Sequence, residues 1–179
     1  MGSTRALDLR AVSEPHLKDL AGKLGETVNL LVLQGPSVRF VAGFESDQQI
    51  RTHVLTGTLL PAYAVSGGKV LLAELSRERL RELYPRGIKK LTPHTKTFTQ
   101  LVEDLALVMM RGYALNEGES ELGLSAVAVP LRDQLGHTIA ALALSAPSSR
   151  MSQPQIRETV IELRECAARI RGDLSRRAR

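Results

Sequence analysis

Two hairpin signals constrain the fold of this chain more than any other feature. The apolar runs LGLSAVAVPL, Leu122–Leu131, and HTIAALALS, His137–Ser145, flank the polar break RDQLG. Upstream, ETVNLLVLQGPSVRFVAGFES reads as strands Thr27–Leu33 and Val38–Phe44. Their joint, Gln34-Gly35-Pro36-Ser37, supplies glycine and proline where a tight turn needs them. A further strand is expected over Ile50–Leu55 after a polar bend. Strands arriving in hairpins pair antiparallel, and helical stretches separate the groups. The expected class is therefore α+β, with a mostly antiparallel sheet flanked by helices.

The helical stretches carry their own start and stop signals. Ser13 with Pro15 in the first turn reads as a helix start, Leu17, Leu20, Ala21 and Leu24 share a face, and Gly25 ends it. A short helix follows the small residues Ser66-Gly67-Gly68, and a second is capped by Ser76 and stops at Pro85. Phe98, Leu101, Val102, Leu105, Val108 and Met109 recur at helical spacing up to Gly112, the residue type that favours a helix C-terminus. From about Gln153, the residues Ile156, Val160, Leu163, Ala167, Ile170 and Leu174 form a heptad-like seam. Its partner is the sheet or a second subunit. The sheet is expected, because about three heptads is short for an independent coiled coil.

At 179 residues and 43% hydrophobic, the chain suits one domain with a core that needs no disulfide, and its one cysteine, Cys166, could form none within the chain. The opening residues hold no apolar run, and no stretch approaches the roughly 20 apolar residues that span a bilayer. A soluble, cytoplasmic protein without membrane partners is expected. The net charge of +5 owes much to an arginine-rich end, where Arg157, Arg164, Arg169, Arg171, Arg176, Arg177 and Arg179 are interleaved with Glu158, Glu162, Glu165 and Asp173. That pattern reads as a solvated helix rather than a nucleic-acid surface. Aromatic residues at 3%, with no tryptophan, supply few stacking platforms for single strands.

Tests for assembled chemistry mostly fail. YAVSGGKVLLAEL resembles a phosphate loop, but G-x-x-x-x-G-K-S/T requires glycine where Tyr63 stands and a hydroxyl where Val70 stands. What remains is a small-residue turn, Ser66 to Gly68, at the N-terminus of a helix, able to receive a carboxylate as readily as a phosphate. His16, His53, His94 and His137 lie in unrelated elements, Cys166 sits beside the final seam, and no G-x-S-x-G elbow occurs. No metal, cofactor or catalytic residue is therefore expected. NEGESELG, Asn116–Gly123, offers Glu117, Glu119 and Glu121 as candidate general bases, though such a run also reads as a solvated loop. These ingredients favour binding over turnover.

Three blocks in order, ETVNLLVL, GTLLPAYAVSGGKVLLAEL and RGYALNEGESELGLSAVAVPLRDQLGHTIAALALSAPSSR, resemble the effector-binding domain of IclR-type bacterial transcription regulators, over about Leu7 to Ile170. The resemblance implies a GAF-like domain holding a small molecule between a curved sheet and loops. It also implies an oligomer, homodimer or homotetramer, that reaches operator DNA through an N-terminal winged helix-turn-helix. No such motif fits before Thr27. Residues 1–12 are expected to be a linker or an added start, 13–174 the effector domain and 175–179 a basic tail.

In glyoxylate- and pyruvate-responsive members, backbone N–H groups matching Ser66 and Gly67 hold the ligand carboxylate. An aspartate, a cysteine and two serines complete that site, and the matching residues here are Asn116, Ala126, Ala143 and Ser145. Three of these four polar groups are changed, two of them to methyls, so a two-carbon oxo-acid loses its partners. The expected effector is a larger, more apolar carboxylic acid, with its carboxylate at Ser66, Gly67 and Gly68 and its body against Leu124, Ala126 and Ala143. Tyr63 replaces the usual histidine of the family, and Lys69 matches a common lysine. The alternative is a small enzyme with the 116–123 loop as base and the glycine turn as oxyanion site.

Overall fold

A computed structural model describes residues 2–177, with side chains from residue 9 onward. Its centre is a six-stranded sheet of order β3-β2-β1-β6-β5-β4, every neighbouring pair antiparallel. The strands are β1 (Thr27–Gln34), β2 (Ser37–Phe44), β3 (Leu59–Pro61), β4 (Ala114–Glu117), β5 (Leu124–Arg132) and β6 (Thr138–Pro147). Both expected hairpins form, β1 with β2 and β5 with β6, and β1 pairs with β6 to join them.

Each face of the sheet is covered. On one side, helices α1 (Gly2–Leu24) and α5 (Gln153–Arg177) pack over Val28, Leu30, Val127, Val129, Leu142 and Leu144. On the other lie α2 (Ser66–Leu72), α3 (Arg77–Leu83) and α4 (Phe98–Arg111), packed over Leu31, Phe40, Ala114, Ala128, Ala141 and Ala143. The alternation of a strand's side chains divides β1 between the two layers, Leu30 to one and Leu31 to the other. The α5 seam is buried at Ile156, Val160, Leu163, Ala167 and Ile170, with Leu174 half-buried. It packs on the sheet and on α1, so the seam is used within the domain.

All seven residues of α2 are buried, pressed between the sheet and α4. Such close approach needs small partners. Ala114, Ala128 and Ala143 stand side by side across β4, β5 and β6 and form a floor for it. Gly112 ends α4 in the left-handed region, φ 75°, as its position predicted.

Two local expectations are corrected and two further features add to the reading. The first helix does not begin at Ser13. It runs through Ser13 and Pro15 because Leu9 and Val12, upstream of the serine, extend the face that Leu17, Leu20 and Ala21 bury. No strand forms over Ile50–Leu55: the edge of β2 is taken by β3, and Ile50 is 73% exposed. The strand β4 escaped the sequence reading because four residues give too short an alternation to see. Met109 is exposed although it lies at the helical spacing of its neighbours.

Candidate functional site

The alanine floor continues past the N-terminus of α2, and there the helix no longer covers it. One row of partners across the sheet runs Gly43, Asn29, Ala143, Ala128, Ala114, and the next runs Thr27, Ser145, Ala126, Asn116. Small side chains in both rows leave space above the sheet, and the result is a cavity of about 420 Å³. The sheet supplies Asn29, Leu31, Phe40, Asn116, Leu124, Ala126, Ala143, Ser145 and Pro147 to its walls. Val65, Ser66 and Gly67 close one end, Ser120 to Gly123 another, and Ile50 to His53 with Leu55 lie across the top.

The segment 45–58, which contains the expected strand Ile50–Leu55, is thus a strap over the cavity. Its attachments are specific. The Thr27 hydroxyl donates to the Thr52 carbonyl at 2.7 Å, and the Thr52 and Ser145 hydroxyls share a hydrogen bond of 2.9 Å. Glu45 accepts from Arg51 Nε at 2.9 Å and from the Val54 N–H at 3.1 Å. These bonds, led by that from Arg51, hold the Glu45 carboxyl down at about 2.

The loop after β4 is equally fixed. Asn116 accepts from the Glu119 N–H and donates to the Ser120 hydroxyl, both at 2.9 Å. Thr92 and Thr95 donate to the carbonyls of Gly118 and Glu119, at 2.6 and 2.8 Å. Glu119 is not a solvated base: it is 4% exposed and its Oε1 accepts from Lys69 Nζ at 2.7 Å. Lys69 donates equally to Asp104 of α4, at 2.7 Å, so one buried ammonium joins α2, α4 and the loop. Burial pushes the Glu119 carboxyl up from its ordinary value despite that ammonium.

Of the eight residues predicted to bind ligand, Ser66, Gly67, Asn116, Leu124, Ala126, Ala143 and Ser145 line the cavity. Gly68 does not. A Cβ there would lie 2.1 Å from the Ala62 carbonyl oxygen, so its role is close packing of α2 on the turn before it. Nor do the three small residues form a turn ahead of the helix: they are its first turn. Val65 caps it without a side-chain acceptor, and the first helical N–H to find a carbonyl is that of Lys69, on Val65 at 3.0 Å. Asn116 lines the wall with both ends of its amide occupied, which makes it a brace for the loop.

Tyr63 lies outside the cavity. Its hydroxyl donates to the Lys89 carbonyl at 2.9 Å and its ring meets Tyr84 edge-on. Cys166 is a packed thiol, fully buried and pushed up to about 11 by desolvation. Sequence reasoning missed Asn29, Arg51, Thr52 and His53. Asn29 carries a signal, a polar residue inside an apolar strand, whereas the other three sit on a strap whose sequence resembles a strand.

Residues 1–171 match the family described as Bacterial transcriptional regulator IclR C-terminal. The chain belongs to that family. The transcriptional regulator KdgR of Dickeya chrysanthemi is 32% identical over 166 residues, 92% of this chain and 54% of the relative. The crystal structure of the C-terminal domain of E. coli KdgR superposes with a TM-score of 0.82 at 28% identity, over 93% of this chain and 98% of that one. The inducer-binding domain of PobR from Acinetobacter, a double mutant in complex with 3-hydroxybenzoic acid, gives 0.82 at 34% identity, over 90% and 96%. The chain thus spans about half the length of the curated relatives it matches. Those relatives are named as regulators and repressors of transcription, and the enzyme reading has no support from them. Among the described residues, no helix is long and apolar enough to cross a membrane.

Proposed function

We propose that this IclR-type effector domain senses a carboxylic acid with a body larger and more apolar than that of glyoxylate. The observation that carries the reading is the cavity of about 420 Å³, floored by Ala126 and Ala143 and walled by Leu31, Phe40, Leu55, Leu60 and Leu124. An apolar body placed there is removed from water at a gain of roughly 25 cal/mol per Å². The carboxylate sits at Ser66 and Gly67, where the first N–H groups of α2 have no side-chain cap. A domain 34% identical was solved with 3-hydroxybenzoic acid, an acid of this chemical class.

The effector acts on DNA binding through a helix-turn-helix domain of the kind that the names of the HTH-type relatives imply, outside this chain, which spans about half of their length. The protein works as a homodimer or homotetramer in the cytoplasm. Binding biases one arrangement of the assembly over another only by its difference in affinity for the two. The sensing unit runs from Leu9 and Val12, which α1 buries in the core, to Leu174 near the end of α5.

A thermal-shift panel of aromatic, alicyclic and short aliphatic acids tests this reading. An acid at about 100 times its Kd stabilises the fold by roughly 2.7 kcal/mol, enough to raise Tm by several degrees. Ring-bearing acids are expected to give the shift. A panel in which only two- and three-carbon acids do so contradicts the reading.

A further inference from the structure

Asn29 is the one strongly polar side chain that β1 turns toward the cavity, between the apolar Leu31 and the strap-bound Thr27. It is 3% exposed, and no described residue hydrogen-bonds its amide; its Oδ1 is sealed from solvent without a donor. A buried amide left in that condition destabilises the fold, and selection for stability alone would remove it. The surrounding sheet is shaped to accommodate it. Its neighbours on either side are Gly43 and Ala143, and a Cβ on Gly43 would lie 2.4 Å from the Asn29 Oδ1. A mid-strand glycine weakens a strand, and here it marks close approach by this side chain.

The position of Asn29 relative to α2 gives its reach. Gly67 rests on Leu31, whose Cδ1 would lie 2.9 Å from a Cβ built there, and Asn29 is two residues back along the same face of β1. Two residues of strand span about 6.8 Å. An acid anchored at Ser66 and Gly67 therefore presents the far side of a six-membered ring to the Asn29 amide, whose Oδ1 is turned against Gly43 and whose NH2 is left to donate to a ring hydroxyl or oxo oxygen.

We infer that Asn29 is the specificity-determining residue of the cavity, selecting effectors that carry a hydroxyl or oxo group on the ring opposite or oblique to the carboxylate. This rests on the carboxylic-acid reading above and narrows it to hydroxylated or oxo-substituted cyclic acids. Buried groups built to bond a substituent discriminate strongly against the analogue without it, because the protein partner is then left unpaired.

The test is calorimetric titration of benzoate and its three monohydroxy isomers into the wild-type chain and Asn29→Leu, with thermal unfolding of both proteins free of ligand. The leucine branch occupies the places of the two amide atoms. The wild type is expected to prefer at least one hydroxybenzoate over benzoate by on the order of tenfold. Asn29→Leu is expected to lose that preference while still binding benzoate, and its ligand-free Tm is expected to be equal to or above that of the wild type. A preference that survives in Asn29→Leu overturns the assignment while leaving the acid-sensing reading intact. A lowered ligand-free Tm overturns it also, since the amide then serves the fold. Failure of all four acids to bind the wild type overturns both.

Discussion

Replacing Lys69 by methionine is expected to destabilise the fold by about 3 to 5 kcal/mol, the cost of breaking a buried ion pair from one side. The side chain is 1% exposed, and its ammonium lies 2.7 Å from both Asp104 and Glu119, themselves nearly buried. Methionine fills the stem but leaves two carboxylates facing each other beneath α4. Lys96 and Arg111 stand 3.8 Å or more from these carboxylates, too far to replace the two direct hydrogen bonds from Lys69. The loss should depend on pH with a definite sign. Burial raises the Glu119 carboxyl, so its contribution is fully present below the ordinary carboxylate range and is lost as pH rises through the raised value. Without Lys69 that value rises further. Urea unfolding should therefore show a larger deficit for Lys69→Met at pH 8 than at about pH 5. Glu119→Gln, which keeps the Lys69–Asp104 pair, should cost less and flatten the dependence. A deficit below about 1 kcal/mol, as for an exposed pair, would show that this cluster does not hold α2, α4 and the loop together.

Gly68→Ala should be nearly as damaging, against the direction of helix propensity. Alanine in a helix is favoured over glycine by roughly 0.5 to 1 kcal/mol. At Gly68 the added methyl would meet the oxygen, carbonyl carbon and Cα of Ala62 at 2.1, 2.6 and 2.6 Å. Those are backbone atoms, so the contact is relieved only by moving α2 off the turn it rests on. Overpacking of this kind costs about 1 to 3 kcal/mol or more, and steric overlap with backbone should reach the upper part of that range. Gly22 supplies the control: nothing lies within 4 Å of a Cβ there, and Gly22→Ala should stabilise by the propensity difference alone. At Gly67 the conflict is with the flexible end of Leu31, so Gly67→Ala should cost less than Gly68→Ala. Because α2 opens onto the cavity, Gly68→Ala should also weaken acid binding without touching the ligand. Denaturant midpoints of the three variants, measured side by side, check the ordering.

The parts of this fold written in local pattern were legible from the sequence, and those settled by packing were not. Both hairpins, the Ser76 helix start, the Gly112 helix end and the α5 seam each follow from a periodicity or a cap within a few residues. Ser13 misled because capping chemistry and mid-helix burial use the same residue, and only Leu9 and Val12 packed on the sheet decide between them. Ile50 to Leu55 misled because apolar residues that face a cavity resemble those of a strand. In the site, the resemblance identified the floor at Ala126 and Ala143, whose small size matters whatever else surrounds them. It identified Asn116 by its match to a polar site, and the small-residue stretch brought in Gly68, but Gly68 serves packing and Asn116 braces a loop. Asn29 escaped because its significance lies in having no partner, which becomes visible only when every neighbour has been placed.

Calorimetric titration of glyoxylate and of benzoate-type acids into the wild-type chain tests the central claim most directly. The cavity offers two methyls where short oxo-acids would need hydrogen bonds, and an apolar wall where a ring would pack. The expected result is a measurable Kd for a ring-bearing acid with glyoxylate binding at least tenfold more weakly, a difference of about 1.4 kcal/mol. Tighter binding of glyoxylate than of every aromatic acid would contradict the account.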